Sequence, residues 1–186
     1  MELIHIGKPN RLESSEPNKI YRWLIIGFLL LMAEGCSHTS SPSHHIPPLL
    51  KHPVAELQGN TPVPLRVPTE VPKGVTSASI GTVDQKDGYE IDFYERSENH
   101  DWFRGMISGS STLSDNTFNT REVTLKNGIT AHFRAISCGG SCAPINLWWQ
   151  EDGAQYALQM KMPSDTPEKE QESQILKIAN SVVVIK

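Results

Sequence analysis

Cys138 and Cys142 bracket Gly-Gly-Ser in one short stretch of chain. Two cysteines that close can join in a disulfide across a tight turn, and the glycines give the backbone the freedom such a ring needs. Chain-entropy reasoning assigns a five-residue ring about 2 kcal/mol. Two other chemistries remain open for the pair, free thiols and a redox or metal site. A redox-active pair usually has two intervening residues, whereas here there are three. A zinc site needs further ligands at a regular spacing, and none lie near in sequence.

The acid–base candidates are sparse. His100-Asp101 and His132 could serve with Ser110 or Ser111 as nucleophile, but no G-x-S-x-G elbow or H-E-x-x-H helix ties them together. His132 alternates with Ala131 and Phe133, which assigns it to a solvated polar strand face. Asp84 with Asp87, and Glu95 with Glu98, lack calcium-loop spacing and read as surface charges flanking strands. His38, His44, His45 and His52 are irregularly spaced, with no carboxylate or cysteine to order them, and read as a polar linker. No catalytic residue, metal ligand or cofactor site is expected, and the chain is read as a non-enzyme. Among contact-forming side chains, Trp148 and Trp102 stand out, because large rigid aromatics dominate binding energy where they are exposed.

Residues 23–33 run Trp-Leu-Ile-Ile-Gly-Phe-Leu-Leu-Leu-Met-Ala without a polar interruption. As a helix they reach about 16 Å, roughly half a bilayer core and the length of a signal-peptide centre. Lys19 and Arg22 precede the run, as suits the end retained in the cytoplasm. Ala33-Glu34-Gly35-Cys36 follows. This arrangement resembles the bacterial lipoprotein signal, in which a small residue precedes a cysteine that is lipidated and becomes the mature N-terminus. Gly35 and Cys36 match that pattern; Ala33 stands where Leu is usual, and Glu34 where a small residue is usual. The long lead over residues 1–22 suggests that translation starts downstream of Met1. The alternative is an uncleaved N-terminal anchor with an incidental cysteine. The resemblance implies a signal peptide over 1–35, lipid (palmitate) attachment at Cys36 and the membrane as partner. It also implies a cell-envelope location, lipid-anchored on the extracytoplasmic face of the cell membrane. An oxidising compartment there would favour the Cys138–Cys142 disulfide bond.

Within residues 1–35, four basic residues (Lys8, Arg11, Lys19, Arg22) cancel four acidic ones (Glu2, Glu13, Glu16, Glu34), so residues 36–186 carry the whole net charge of −4. A mildly acidic domain has no electrostatic attraction for nucleic acid, and that partner is set aside. A chain of 186 residues, 38% hydrophobic and 20% charged, suits one globular domain with polar flanks.

Residues 36–72 are rich in Ser and Pro, including Pro42, Pro47, Pro48, Pro53, Pro62, Pro64, Pro68 and Pro72. Proline fixes φ and removes backbone donors, so this stretch is expected to be an extended tether without regular structure. The β-rich domain then covers 73–186, with its pattern beginning near Ala78. Tyr89, Ile91 and Phe93 alternate with Glu90, Asp92 and Tyr94, as in a half-buried strand. Residues 101–108 read as a weaker strand, and 109–120 as a loop.

Two hairpins have registers that can be argued. Around Asn127-Gly128, only a three-residue loop pairs Leu125 with Ile129 and Val123 with Ala131, keeping one face apolar. It puts Gly128 at the left-handed bulge position. Around Asp152-Gly153, a two-residue turn pairs Trp149 with Tyr156, Leu147 with Leu158, and Ile145 with Met160. Trp148 then falls on the opposite face, among Asn146, Gln150, Gln155 and Gln159, where it is either covered by residues 109–120 or exposed as a contact. A helix follows, with Thr166 as N-cap, Pro167 and acidic residues in its first turn, and an apolar stripe of Ile175, Leu176, Ile178, Ala179 and Val182. Residues 182–185 read as a last short strand. The fold class is α+β, a curved antiparallel sheet with the C-terminal helix packed on one face.

Three features carry a second resemblance: Val67-Pro-Thr-Glu-Val-Pro72-Lys-Gly74, the hairpin residues Trp149, Gly153 and Tyr156, and an acidic helix ending Ile178-Ala-Asn-Ser181. Over residues 65–186 the chain resembles an uncharacterised extracytoplasmic domain found on Gram-positive lipoproteins and anti-sigma-factor-like membrane proteins. That resemblance implies a curved sheet distantly similar to lipoprotein carriers and brings no catalytic residue with it. The Cys138–Cys142 loop departs from the family pattern. Two functions follow as expectations. One is a membrane-anchored binding or sensing module contacting another envelope protein through Trp148 and Trp102. The other is a carrier holding an apolar ligand between sheet and helix.

Overall fold

The computed structural model describes residues 45–82, 86–115 and 118–186. Residues 1–35 and Cys36 therefore lie outside the described residues, as do His38, His44 and Asp84. Among the described residues, no helix is long and apolar enough to cross a membrane.

The alternating strand patterns assemble as antiparallel ladders. Seven strands form one sheet: β2 (Ser77–Ile80), β3 (Gly88–Arg96), β4 (Asp101–Ser110), β5 (Arg121–Thr124), β6 (Thr130–Arg134), β9 (Ile145–Glu151) and β10 (Ala154–Met160). Their spatial order is β2-β3-β4-β10-β9-β6-β5. Both hairpin registers are as expected, with Val123 opposite Ala131, Trp149 opposite Tyr156, Leu147 opposite Leu158 and Ile145 opposite Met160. Gly128 has φ of 83°, and the Leu125 amide bonds the Ile129 carbonyl at 2.9 Å across the three-residue loop. Asp152 and Gly153 both have positive φ (53° and 75°), as a two-residue turn matching strand twist requires.

One face of this sheet is apolar across its whole width. Ile91 and Phe93, Ile107, Leu158, Leu147 and Phe133 are sealed from solvent on β3, β4, β10, β9 and β6. Three elements cover that face. Helix α1 (Lys51–Leu57) buries Val54 and Leu57, and helix α2 (Glu168–Ala179) buries Ile175, Ile178 and Ala179. Between them stands a two-stranded antiparallel ribbon of β1 (Leu65–Pro68) and β11 (Val182–Ile185). The architecture is α+β with the C-terminal helix against β9 and β10. The sheet is uncurled, whereas a curved one was expected. Three elements side by side cover seven strands, so the sheet need not wrap around a single helix.

The Pro-rich segment departs most from expectation. Residues 48–68, assigned to the irregular tether of 36–72, contain a 3₁₀ turn at Pro48–Leu50, then α1 and β1. The prolines sit where a missing N–H costs little. Pro48 and Pro53 lie in first turns, and Pro68 ends an edge strand. Between them Leu50, Leu57 and Val67 are wholly buried, an apolar pattern the proline count masked. Two tyrosines hold β1 in position. The Tyr89 hydroxyl accepts from the Arg66 amide at 2.9 Å and donates to the Arg66 carbonyl at 2.8 Å, and burial pushes this phenol far above its ordinary pKa. The Tyr156 hydroxyl donates to the Pro64 carbonyl at 3.2 Å. The Arg66 guanidinium, itself buried, lies over the Tyr156 ring and pairs with Glu151 at 3.0 Å and Asp152 at 2.7 Å.

Two smaller differences have local causes. Strand β4 runs on through Gly109 and Ser110, where a loop was expected. A Cβ on Gly109 would come within 2.5 Å of the Tyr89 ring and 3.0 Å of Tyr156, so this glycine makes room for both rings. Helix α2 starts at Glu168 with Pro167 in the cap position and no side-chain cap, so Thr166 is not the N-cap. The Thr166 carbonyl instead accepts from the buried Gln171 side chain at 2.7 Å.

Candidate functional site

The face of the sheet turned away from the core is built from the alternate residues of the same strands. Pairing registers align one row across it: Glu90, Ser108, Ala157, Trp148, His132 and Glu122. Trp148 stands among amides and hydroxyls, as the hairpin register implied. It is buried (8% exposed) yet does not belong to the core cluster. The Arg134 guanidinium lies over the indole ring, 4.8 Å from its centre. Residues 113–115, beyond the end of β4, line the same groove as Trp148, and Ser114 ties them to the sheet. The Ser114 hydroxyl donates to the Gln155 side-chain oxygen at 2.7 Å, and the Gln155 amide donates to the Ser114 carbonyl at 2.8 Å.

Between this loop and the sheet lies an open groove of about 630 Å³. Trp148, His132, Thr130 and Gln150 contribute from β6 and β9, and Leu113 and Asp115 from the loop. The volume falls within the range of about 300–1,000 Å³ typical of small-molecule sites. Hydrogen-bonding groups alternate with an indole and an aliphatic side chain, a lining that suits a ligand with both polar and apolar surface.

Further along the open face, Asp92 and Glu90 are half-buried carboxylates. Burial raises both above their ordinary range, with the Asp92 charge adding to Glu90, while the Tyr94 hydroxyl donates to Asp92 at 3.2 Å and partly offsets its shift. Asn146, also on this face, is buried and donates to the Pro144 carbonyl at 2.8 Å.

The other expected residues are scattered. Trp102 is 60% exposed near the start of β4, with its ring centre 6.0 Å from that of His100. It lies six positions from Ser108 along β4, about 20 Å at strand rise, so Trp102 and Trp148 do not share one patch. His100 is at the β3–β4 turn, and Ser110 is at the far end of β4. His132 is three strands across from β4, about 14 Å away. Asp101 pairs with Arg96 at 3.2 Å, and the Ser111 hydroxyl donates to the Asp87 carbonyl at 3.1 Å. The imidazoles and hydroxyls considered as a nucleophilic set are thus not brought together. Glu95 lies within β3 rather than flanking it, and accepts from Arg104 Nε at 2.6 Å. His52 lies 3.6 Å from Glu56 on α1. Among the described residues, no group of three or more His, Cys, Asp or Glu side chains could hold a metal ion.

Cys138 and Cys142 are joined by a disulfide, with Cα atoms 4.1 Å apart. The bond spans a small exposed hairpin of β7 (Ser137–Cys138) and β8 (Cys142–Ala143). Thr130, Gln150 and the tie between Ser114 and Gln155 escaped sequence reasoning. The first two were visible only as polar members of an alternating strand, and no local pattern marks a loop that folds across a sheet. No family model matches the chain, and neither a curated protein nor a solved structure does.

Proposed function

We propose that the protein is a membrane-anchored extracytoplasmic lipoprotein whose domain acts as a binding or sensing module, with the groove beside Trp148 as its contact site. The observation that carries the binding reading is this tryptophan outside the core, at the floor of an open groove of ligand size. Buried aromatics at the centre of a polar rim are the usual anchors of recognition. Trp102, exposed on a separate part of the domain, is a second contact point. The reading of residues 1–36 as a cleaved signal and lipidated Cys36 rests on the apolar run and the Gly35-Cys36 junction. The tether is then the shorter stretch before Ile46, since Ile46 onward packs against the domain core. The carrier reading needs space between sheet and helix. Ile175, Leu147 and Leu158, all fully buried, fill the layer there, which favours the binding module.

Two experiments test the two halves. Cys36→Ser should release the protein from membranes and remove the lipid mass; a variant that stays membrane-bound at unchanged mass overturns lipidation. A photo-crosslinking side chain at Gln150 should capture a specific ligand or partner on intact cells, and one at Lys169, on the exposed side of α2, should not. Equal labelling from both positions overturns the groove as the contact site.

A further inference from the structure

We infer that the groove beside Trp148 binds a neutral pyranose sugar ring; this deepens, and rests on, the binding-module reading above. The argument is one of matching chemistry. No Lys or Arg lines the groove, whose ionisable side chains are Asp115 and His132. A phosphate, nucleotide or other anion would therefore meet no fixed cation. The Arg134 guanidinium is spent on the indole ring. A peptide added as a further strand would need an open edge, but β6 lies between β5 and β9, and β9 between β6 and β10, so neither has a free ladder to offer. A lipid chain would need a wholly apolar wall, and here Thr130, Gln150 and His132 interrupt it.

A sugar ring meets none of these objections. Its vicinal hydroxyls each donate and accept. The exposed Gln150 amide offers one donor group and one acceptor at fixed separation, Thr130 offers a hydroxyl, and Asp115 lies at the loop side of the same groove. Its C–H face is apolar and packs on the Leu113 side chain and on the part of the indole that Arg134 leaves open to the groove. The Gln155 amide is held by Ser114, which fixes the loop wall rather than serving the ligand. Trp148 supplies contact surface, and Gln150 and Thr130 supply direction.

The test uses the full chain, isotope-labelled and held in detergent micelles. It is titrated in parallel with a trisaccharide of N-acetylglucosamine and a trisaccharide of glucose. The indole N–H resonance of Trp148, assigned through Trp148→Phe, should shift saturably with at least one of them, with Kd on the order of 0.1–1 mM, while that of Trp102 stays still. Gln150 is exposed, so Gln150→Ala should keep the unfolding midpoint and weaken binding at least about fivefold. Saturation by one trisaccharide alone names the ring, and saturation by both supports the pyranose class. No saturable shift with either, or an affinity unchanged in Gln150→Ala, overturns the inference. Should the titration fail while Gln150 crosslinking on cells succeeds, the sugar falls and the binding module stands.

Discussion

Trp148 and Trp149 are adjacent in one strand and belong to different parts of the molecule. Trp149 points into the core, stacked on Tyr156 with ring centres 5.6 Å apart. Trp148 points the other way and is covered by Arg134, with the loop around Ser114 passing close by. The two indoles are almost equally hidden, at 3% and 8% exposure, so burial alone does not separate them. What separates them is what they are buried by. One is enclosed by apolar side chains from several elements. The other is screened by a long cationic side chain and lies beside a loop that Ser111 and Ser114 tie to Asp87 and Gln155, outside the apolar core. The same sheet thus has one face that holds the fold and one face free to be used.

The largest effect expected from this contrast is in the tryptophans themselves. Trp149→Ala should lose about 3–5 kcal/mol in denaturant unfolding, as truncation of a core aromatic does. Trp148→Ala should lose about 1–2 kcal/mol, because its cover can settle into the space. Equal losses would erase the distinction between the faces. Next comes Tyr89→Phe, which removes a buried hydroxyl that serves both the amide and the carbonyl of Arg66. A loss of about 2 kcal/mol is expected from two backbone groups left unpaired. A value near zero would show that β1 is held by burial alone. On the open face, Gln155→Ala should cost less than about 1 kcal/mol. It should also sharply raise hydrogen exchange in residues 111–115 and leave the strands protected. Protection lost throughout would mean that the loop belongs to the cooperative core.

The smallest effect lies in pH dependence. Burial raises the Asp92 carboxyl, so its folded pKa stands above the unfolded one. The ionised group weighs against the fold, and stability falls as pH rises from the unfolded value through the folded one. Asp92→Asn removes that decline and relieves Glu90 of a neighbouring charge. The variant should gain on the native protein at neutral pH, and the gain should vanish in acid below the unfolded carboxylate range. Urea melts across that window check it; a variant equally altered at every pH would show that folding does not raise the Asp92 carboxyl.

Sequence reasoning reached the sheet where side chains alternate strictly. Tyr89-Glu90-Ile91-Asp92-Phe93 and both hairpins left one register each, since a slip by one residue would turn every apolar side chain outward. The Cys138–Cys142 ring was legible because the two cysteines sit so close in sequence. Reasoning failed where two signals competed. Leu50, Val54, Leu57 and Val67 carry core apolar spacing, but the prolines around them dominate the composition. Gly109 reads as a strand breaker, and only the rings of Tyr89 and Tyr156 explain why a strand needs it. At the groove, the polar face and the misfit Trp148 were legible. Residues 109–120 were legible only as one of two alternatives for covering Trp148, because nothing within residues 111–115 specifies a contact with Gln155, on a strand distant in sequence.

The ribbon of β1 and β11 has a consequence in time. Leu65 pairs with Ile185, so the first strand of the domain finds its partner in the last. Contacts so distant along the chain slow folding, since a large loop must close before they form. The ribbon cannot form until residues 182–185, more than a hundred positions beyond β1, have joined the folding chain. Until then β1 lacks its ladder partner and is held only by its packing on the sheet and by the bonds from Tyr89 and Tyr156. The ribbon therefore closes the domain in one late step, and a chain cut short of Val182 is an unclosed domain rather than a smaller one.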